Sequence, residues 1–250
     1  MTSRRFLLVA TSVLSGAMSL PAMASSFCTS VSGNLITNCG FESGPVAASS
    51  LGFTSAYAYT SNLLSAGTFY IGSNPSTYNG FFSAFQNGTN PPLPNSGSDQ
   101  MIINGASSPV TVWAESGITV TPNTDYYFSV FVQSVTDISP AVLDFQANGL
   151  QLGTNFTSST TTGAQTEFVA TWNSGSNTTV NLSLFDSTTA SGGNDFALDD
   201  FVFAAGQPTG GTPVGGTGTG AVTPEPSSLV LLGTGLAGVA ATLRRRYLYR

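Results

Sequence analysis

The sequence predicts an all-β domain, a β-sandwich or jelly roll, between two terminal segments that act as targeting signals. Short apolar runs recur between Ser25 and Val222 about every ten residues, and residues that favour turns separate them. Aromatic residues make up 11% of the chain, and with Val and Ile they are plentiful enough to build a core. No part of this region shows sustained helical periodicity, so we expect about nine or ten short strands.

The chain begins with a predicted secretory signal peptide, residues 1–24. Arg4 and Arg5 precede a short apolar stretch that runs to Leu20, and the segment 22–24, Ala-Met-Ala, provides a cleavage site. We predict that signal peptidase cuts after Ala24 and that the protein is exported. The competing interpretation is a helix of the folded domain.

The strand signals of the predicted domain, residues 25–205, follow one another with turn residues between them. The clearest is 125–132, which follows a turn at 121–124 that contains Pro122 and Asn123. The absence of an internal sequence repeat argues against a β-solenoid. The candidate strands lie at 34–37, 53–60, 68–71, 100–104, 110–113, 125–132, 141–147, 168–172, 179–185 and 196–203.

The C-terminal part combines a linker with a short apolar segment. Residues 206–223 are rich in Gly, Thr and Pro and are typical of a flexible linker. An apolar run at 229–243 follows, and it is shorter than the ~20 residues that span a bilayer, although flanking serines and snorkelling arginines narrow the gap. The arginines that end this run should stay cytoplasmic, which places the domain outside.

The order of features in this tail resembles the PEP-CTERM sorting signal of Gram-negative bacteria. The resemblance covers 224–250 and rests on a Pro-Glu-Pro sequence, the apolar helix and an arginine cluster: Pro224, Glu225, Pro226, Arg244, Arg245 and Arg246. It implies that an exosortase, a membrane protease, cuts near Pro-Glu-Pro and that the protein reaches the cell surface or the extracellular matrix. The competing interpretation is an ordinary membrane anchor.

The distribution of charge excludes several functions. The chain has no Lys and no His, and its six Arg all lie in the terminal segments, with twelve acidic residues between them. Nucleic-acid binding is excluded because nothing in the domain can neutralise phosphates. Ion pairs cannot form within the domain, so its stability must come from burial and backbone hydrogen bonds. Divalent cations are suitable partners for carboxylates that lack basic neighbours.

Cys28 and Cys39 follow the predicted cleavage site closely. In an oxidising, exported setting, an even pair at this spacing indicates a disulfide. A catalytic thiol, the alternative, needs a base or an electropositive neighbour, and the domain has no His, Lys or Arg.

Three segments together resemble the galactose-binding-like jelly rolls, which include many carbohydrate-binding modules. They are the opening at 34–44, Asn-Leu-Ile-Thr-Asn-Cys-Gly-Phe-Glu-Ser-Gly, the central strand at 118–130 and the closing Ala-Leu-Asp-Asp-Phe at 197–201. In that family the opening Glu and a closing Asp commonly hold a structural calcium ion. The resemblance therefore implies calcium ligands at Glu42 and at Asp200 or Asp199. Neighbouring residues of a strand point to opposite faces, so only one of the two aspartates is expected to ligate.

A sugar site needs exposed aromatic faces beside amides or carboxylates, although most aromatic residues in alternating strands belong to the core. The leading prediction is a non-catalytic extracellular module associated with exopolysaccharide or matrix, and the alternatives are a structural surface protein without a specific ligand and a carboxylate-based glycan hydrolase. Nothing marks a catalytic pair, and a Ser or Thr nucleophile would lack a His or Lys base. The candidate aromatic residues are Tyr57, Tyr59, Tyr70, Tyr78, Phe81, Phe82 and Trp113.

Overall fold

The computed structural model describes residues 26–85, 97–188, 190 and 192–206, so the predicted signal peptide, linker and sorting helix lie outside the described residues. Eleven strands in this part of the chain form two sheets, which confirms the predicted jelly-roll β-sandwich. The strands are β1 (Ala58–Tyr59), β2 (Thr68–Gly72), β3 (Gln100–Asn104), β4 (Val110–Thr119), β5 (Asp125–Ser134), β6 (Val142–Ala147), β7 (Leu150–Gln151), β8 (Phe156–Thr157), β9 (Gln165–Asn173), β10 (Thr179–Asp186) and β11 (Phe196–Ala205).

The first sheet has six strands in the order β1-β2-β3-β11-β5-β9, and the second has the order β4-β10-β6-β7 with β8 also paired to β6. Neighbouring strands are antiparallel except for β1 and β2, which are parallel. Alternate residues enter the core in β6, where Leu143, Phe145 and Ala147 are buried, whereas β11 is buried on both faces. In the strand order of the first sheet, the last strand of the chain, β11, lies between β3 and β5.

Aromatic rings fill much of the space between the sheets. The ring centroids of Trp113 and Phe201 lie 4.5 Å apart, and those of Phe145 and Phe168 lie 3.8 Å apart in a stacked pair. Such contacts add to the free energy gained by removing apolar surface from water. The core therefore supplies the stability that ion pairs cannot supply in a domain without basic side chains.

The prediction of a strand at 34–37 is wrong, because one backbone bond, from the N–H of Leu35 to the carbonyl of Phe203 over 2.9 Å, and several side-chain bonds hold this segment without forming a ladder. Asn34 Nδ2 donates to the carbonyl of Phe201 over 3.0 Å, and Asn34 Oδ1 accepts from the N–H of Phe203 over 2.9 Å. The N–H of Thr37 donates to the carboxylate of Glu115. The segment thus lies beside the second half of β11, where pairing with β3 has ended at Leu198.

Two further differences concern strand length. Of the predicted strand at 53–60, only Ala58–Tyr59 is a strand, with an isolated bridge between Thr54 and Ala114. Strands β7 and β8 were not predicted, because two residues are too few for a visible alternation. A four-residue helix, α1 (Phe27–Ser30), lies at the start. Within the described residues, no helix has the length and apolar character needed to cross a membrane.

Candidate functional site

The first and last segments of the domain meet at Asp200, one of the predicted calcium ligands. Asp200 is fully buried, and its backbone φ is +52°. It lies where the register of β11 against β5 shifts, between Asp199 and Val202. A non-glycine residue in the left-handed region is strained, so surrounding contacts must hold it there. Ser26 Oγ donates to Asp200 Oδ1, and the N–H of Cys28 donates to the same oxygen over 2.9 Å.

The second carboxylate oxygen of Asp200 has no donor among the described residues. Oδ2 is buried and lacks a hydrogen-bond partner. Burial raises the pKa of Asp200 to about 6; donation from Ser26 and Cys28 opposes this rise, and the charge of Glu42 adds to it. A buried carboxylate oxygen without a donor is a position where a cation would be stabilising.

Glu42 lies close enough to Asp200 for the two charges to interact. The N–H groups of Ser98 and Asp99 donate to Glu42 Oε1 over 2.9 and 3.0 Å. Burial raises the pKa of Glu42, and these two donors oppose the rise. Gly97 allows this close approach, since a Cβ at that position would lie 2.0 Å from Glu42 Oε1. The loop before β3 therefore holds the Glu42 side chain near Asp200.

The three predicted calcium residues do not form one cluster. Asp199 is paired with Phe131 of β5 and is buried. In the described part of the chain, no group of three or more Asp, Glu, His or Cys side chains is arranged to hold a metal ion. Asp200 and Glu42 both offer carboxylate oxygens, and Asp200 Oδ2 lacks a donor among the described residues, so calcium binding by these two stays a prediction.

The predicted disulfide between Cys28 and Cys39 is present, with the Cα atoms 6.0 Å apart. This disulfide joins two segments that both contact β11 beside the buried carboxylate of Asp200. The N–H of Phe201 donates to the carbonyl of Cys39 over 2.9 Å, while the N–H of Cys28 donates to Asp200. A depression of about 560 Å³ lies over this loop, and its lining includes Ser26, Asn34, Asn38 and Glu42.

A second group of buried carboxylates was missed by sequence reasoning. Asp186, at the end of β10, is 0% exposed. Its Oδ2 accepts from Tyr57 Oη over 3.0 Å and from Asn194 Nδ2 over 2.9 Å, and its Oδ1 accepts from the N–H of Thr188 over 3.0 Å. Tyr57 Oη in turn accepts from the N–H of Ala106. Both oxygens of Asp186 are therefore satisfied by donors.

Asp195 belongs to the same group. Its Oδ1 accepts from the N–H of Gly105 over 2.9 Å, and its Oδ2 lies 3.5 Å from Thr136 Oγ1. Burial raises the pKa of Asp195 to about 6, and the charge of Asp186 adds to the rise. Two neighbouring carboxylates are the machinery of glycan hydrolysis, but this pair is 0% and 8% exposed and surrounded by donors. Its position favours a structural role.

The structure divides the candidate aromatic residues into core and surface. Tyr57, Phe82 and Trp113 are buried. Tyr70 faces away from the main core, because its neighbours Phe69 and Ile71 are the residues of β2 that enter it. Tyr59 packs partly against the main core, whereas Tyr70 and Tyr78 pack partly against a second buried cluster on the other face of the first sheet. All three are partly exposed, and Phe81 is 86% exposed.

Tyr59, Tyr70 and Tyr78 form a row of contacting rings, called here the tyrosine row. The centroids of Tyr59 and Tyr70 lie 5.3 Å apart with an interplanar angle of 20°, and those of Tyr70 and Tyr78 lie 4.9 Å apart. Burial raises the pKa of Tyr78, and the charges of Tyr70 and Asp99 add to the rise. A Cβ at Gly72 would lie 2.1 Å from Tyr78 Oη, which shows how closely the phenol lies against β2.

Phe185 is a surface aromatic residue that sequence reasoning did not identify. It lies on the outer face of the second sheet, because its neighbours Leu184 and Asp186 point inward. Its cross-strand partner on β6 is Asp144, which accepts from Gln146 Nε2 over 2.6 Å. The strict alternation of β10 was the signal that could have separated Phe185 from the core.

The chain matches the family of PEP-CTERM protein-sorting motifs over residues 222–246. The chain thus carries the predicted sorting motif, which indicates an exported protein that is anchored at its C-terminus before processing by an exosortase. The matched residues lie outside the part of the chain that the structure describes. A search of curated proteins finds no significant match.

Solved structures with a similar fold include sugar-binding domains and a cyclase. The CBM22-1 xylan-binding domain from Paenibacillus barcinonensis Xyn10C is 14% identical over 70% of this chain and 92% of that chain, with a TM-score of 0.37. The Stig cyclase Fisc from Fischerella sp. TAU is 11% identical over 70% of this chain and 97% of that chain, with a TM-score of 0.48. The sugar-binding EclA C-terminal domain is 13% identical, and the match spans 37% of this chain and 66% of that domain, with a TM-score of 0.34.

Proposed function

We propose that this exported protein is a non-catalytic surface or matrix module whose tyrosine row contacts extracellular polysaccharide. The observation that carries the proposal is the row itself, with the exposed Phe81 in the segment that continues from Tyr78. Aromatic ring faces cover the apolar faces of sugar rings. A group of exposed aromatic side chains marks an interaction site more often than a single exposed aliphatic side chain does.

Export supports the proposal, because the sorting motif implies delivery to the outside of the cell, where polysaccharide is present. Removal of the signal peptide by signal peptidase after Ala24 and cleavage by an exosortase near Pro224 are parts of the same proposal. The mature protein then stays at the cell surface or enters the extracellular matrix. A calcium ion held by Glu42 and Asp200 is proposed to stabilise the domain and is given no part in binding sugar.

The competing function is a structural surface protein without a specific ligand. A glycan array probed with the processed, exported protein separates the two. We expect binding to at least one polysaccharide, weakened about tenfold or more by the double variant Tyr70→Ala, Tyr78→Ala, since losing two ring contacts removes at least 1.4 kcal/mol. Leu150→Ala is the matched control, because Leu150 is 71% exposed on the other sheet.

Two results would overturn the proposal. If no polysaccharide binds, the structural function is the better one. If binding survives the tyrosine changes and is lost in Phe185→Ser, polysaccharide binds to the outer face of the second sheet and the assignment to the tyrosine row is wrong. Turnover of a matrix polysaccharide by the wild-type protein would contradict the non-catalytic assignment.

A further inference from the structure

We infer that removal of the signal peptide supplies the buried carboxylate of Asp200 with a cation, the new α-ammonium group of Ser25. The inference rests on the part of the proposed function that places the signal peptidase cut after Ala24. It adds a consequence of that cut, because the domain then reaches its full stability only after export. The contacts of Ser26 and the unsatisfied oxygen of Asp200 carry it.

Ser26 is the first residue that the structure describes, and it is fixed against Asp200. Its side chain is 1% exposed, and its Oγ donates to Asp200 Oδ1. The N–H of Thr29 donates to the carbonyl of Ser26 over 3.1 Å, so the backbone of Ser26 is held as well. Gly40 makes room for this arrangement, because a Cβ at that position would lie 1.9 Å from Ser26 Oγ. The described chain therefore starts beside a buried carboxylate.

The position of Ser26 brings the preceding residue within reach of the same carboxylate. Consecutive Cα atoms lie about 3.8 Å apart, and a backbone nitrogen lies about 1.5 Å from its own Cα. The α-nitrogen of Ser25 therefore lies within about 5.3 Å of the Cα of Ser26 in any conformation of the peptide. This distance is comparable to the one that the Ser26 side chain already bridges to Asp200 Oδ1.

Cleavage changes the chemistry of that nitrogen. In the precursor it belongs to the amide bond with Ala24 and carries no charge. Hydrolysis of this bond consumes one water molecule and leaves a carboxylate on Ala24 and an ammonium group on Ser25. Asp200 Oδ2 is buried and has no hydrogen-bond partner among the described residues. A charged donor stabilises such an oxygen more than a neutral donor does.

No side chain of the domain can supply this charge. The chain has no Lys and no His, and its six Arg lie in the signal peptide and after the Pro-Glu-Pro sequence. The α-ammonium group is therefore the cation that the processed chain itself can offer. A calcium ion at Asp200 Oδ2 would compete with it, so the two cations are alternatives at this oxygen, and the test is made in the presence of a chelator.

The test uses the lack of lysine, because an acetylating ester then meets only one amine in the chain. Mass spectrometry identifies the first residue of the processed, exported protein, and acetylation is timed in neutral buffer and in urea. We expect Ser25 as the first residue and acetylation about tenfold or more slower in the folded protein than in the unfolded one. After acetylation in urea and refolding, the midpoint of thermal unfolding should be a few degrees lower, because the terminal charge is gone.

The variants show whether the amine pairs with Asp200. Asp200→Asn removes the charge and keeps the size of the side chain, so the amine should react as fast as in urea and acetylation should no longer lower the midpoint. Asp186→Asn is the matched control, because Asp186 is equally buried and donors satisfy both of its oxygens. That variant should keep its amine protected.

A second variant keeps the test decisive if Asp200→Asn does not fold. One extra Ser inserted between Ala24 and Ser25 leaves the described contacts of Ser26 and Asp200 in place and moves the ammonium group one residue away. This variant should fold, lose the protection of its amine and show a lower midpoint that acetylation does not change further.

Three outcomes would contradict the inference. Equal acetylation rates in buffer and in urea overturn it and leave the tyrosine row standing, because sugar binding is measured separately on the glycan array. Equal protection in the wild-type protein and in both variants would mean that the amine is shielded without pairing with Asp200. A first residue other than Ser25 contradicts the predicted cut and removes the inference together with that part of the proposed function.

Discussion

The two groups of buried carboxylates in this domain solve the same problem in different ways. Around Asp186, three hydrogen-bond donors, from Tyr57, Thr188 and Asn194, satisfy both oxygens. At Asp200, one oxygen is satisfied and the other has no donor among the described residues. A domain without basic side chains can bury a carboxylate either by surrounding it with donors or by leaving a place for an external cation. The carboxylate of Asp186 needs no further partner, whereas the carboxylate of Asp200 leaves one oxygen that a metal ion could take.

The largest expected effect is a fall in the free energy of unfolding as the pH rises in metal-free buffer. Asp195, which belongs to the group around Asp186, should contribute strongly to it. Its pKa is raised from 3.8 to about 6 in the folded state. Folding therefore favours the protonated form, so this contribution is fully present below about pH 3.8 and is lost as the pH rises through about 6. Urea unfolding at pH 4 and pH 7.5 should differ by about 2.4 kcal/mol from this group alone, since at pH 4 part of the contribution is already lost.

Asp195→Asn is the control for that measurement, since the amide does not titrate. Its free energy of unfolding should change less between the two pH values than that of the wild-type protein. Calcium should leave the contribution of Asp195 in place, because both oxygens of that carboxylate already have partners. An unchanged pH dependence in Asp195→Asn would contradict the role given to burial at this residue.

The next effect concerns the group around Asp200. Calcium at about 100 times its dissociation constant should raise the free energy of unfolding by about 2.7 kcal/mol, because it binds the folded state alone. The midpoint of thermal unfolding should rise by a few degrees, and magnesium should have a smaller effect because it requires a tighter octahedral site. Differential scanning calorimetry with and without a chelator measures both.

Variants of the two groups should respond to calcium in opposite ways. Glu42→Gln and Asp200→Asn should lose most of the calcium shift. Asp186→Asn should be less stable than the wild-type protein and yet keep the full shift, since it changes the group that needs no cation. If the metal-free and calcium-loaded proteins unfold at the same temperature, the two groups do not differ in the way described.

The smallest effect compares two tyrosine hydroxyls. Tyr57→Phe removes the hydroxyl that joins Asp186 to Ala106 and should cost about 2 kcal/mol, because it leaves buried groups without a partner. Tyr59→Phe is the matched control, since Tyr59 Oη is buried without a hydrogen-bond partner. That change should be neutral or slightly stabilising in chemical denaturation. Equal costs for the two changes would show that hydrogen bonding does not distinguish them.

The fold was predictable because it depends on local patterns. The segments that became β5, β6 and β10 alternate or carry dense β-branched and aromatic residues, and the spacing of Cys28 and Cys39 in an exported chain was enough to predict their pairing. The group around Asp186 was not predictable, because Tyr57 lies 129 residues from Asp186 and no local pattern links them. The segment 34–37 was mistaken for a strand because it joins β11 through the Asn34 side chain and a backbone bond from Leu35, which the sequence pattern does not distinguish from a ladder.

The position of β11 affects how the domain resists force that is applied to its C-terminal tail. This strand is bonded to β5 along most of its length, to β3 from Phe196 to Leu198, and near its end to the segment 34–37, and the sorting motif follows it in the sequence. Tension on the tail acts along β11, so many inter-strand hydrogen bonds share the load and must break together. A terminal strand at the edge of a sheet would have only one row of such bonds to resist the pull. The domain can thus be tethered or drawn through its tail without being unravelled from that end.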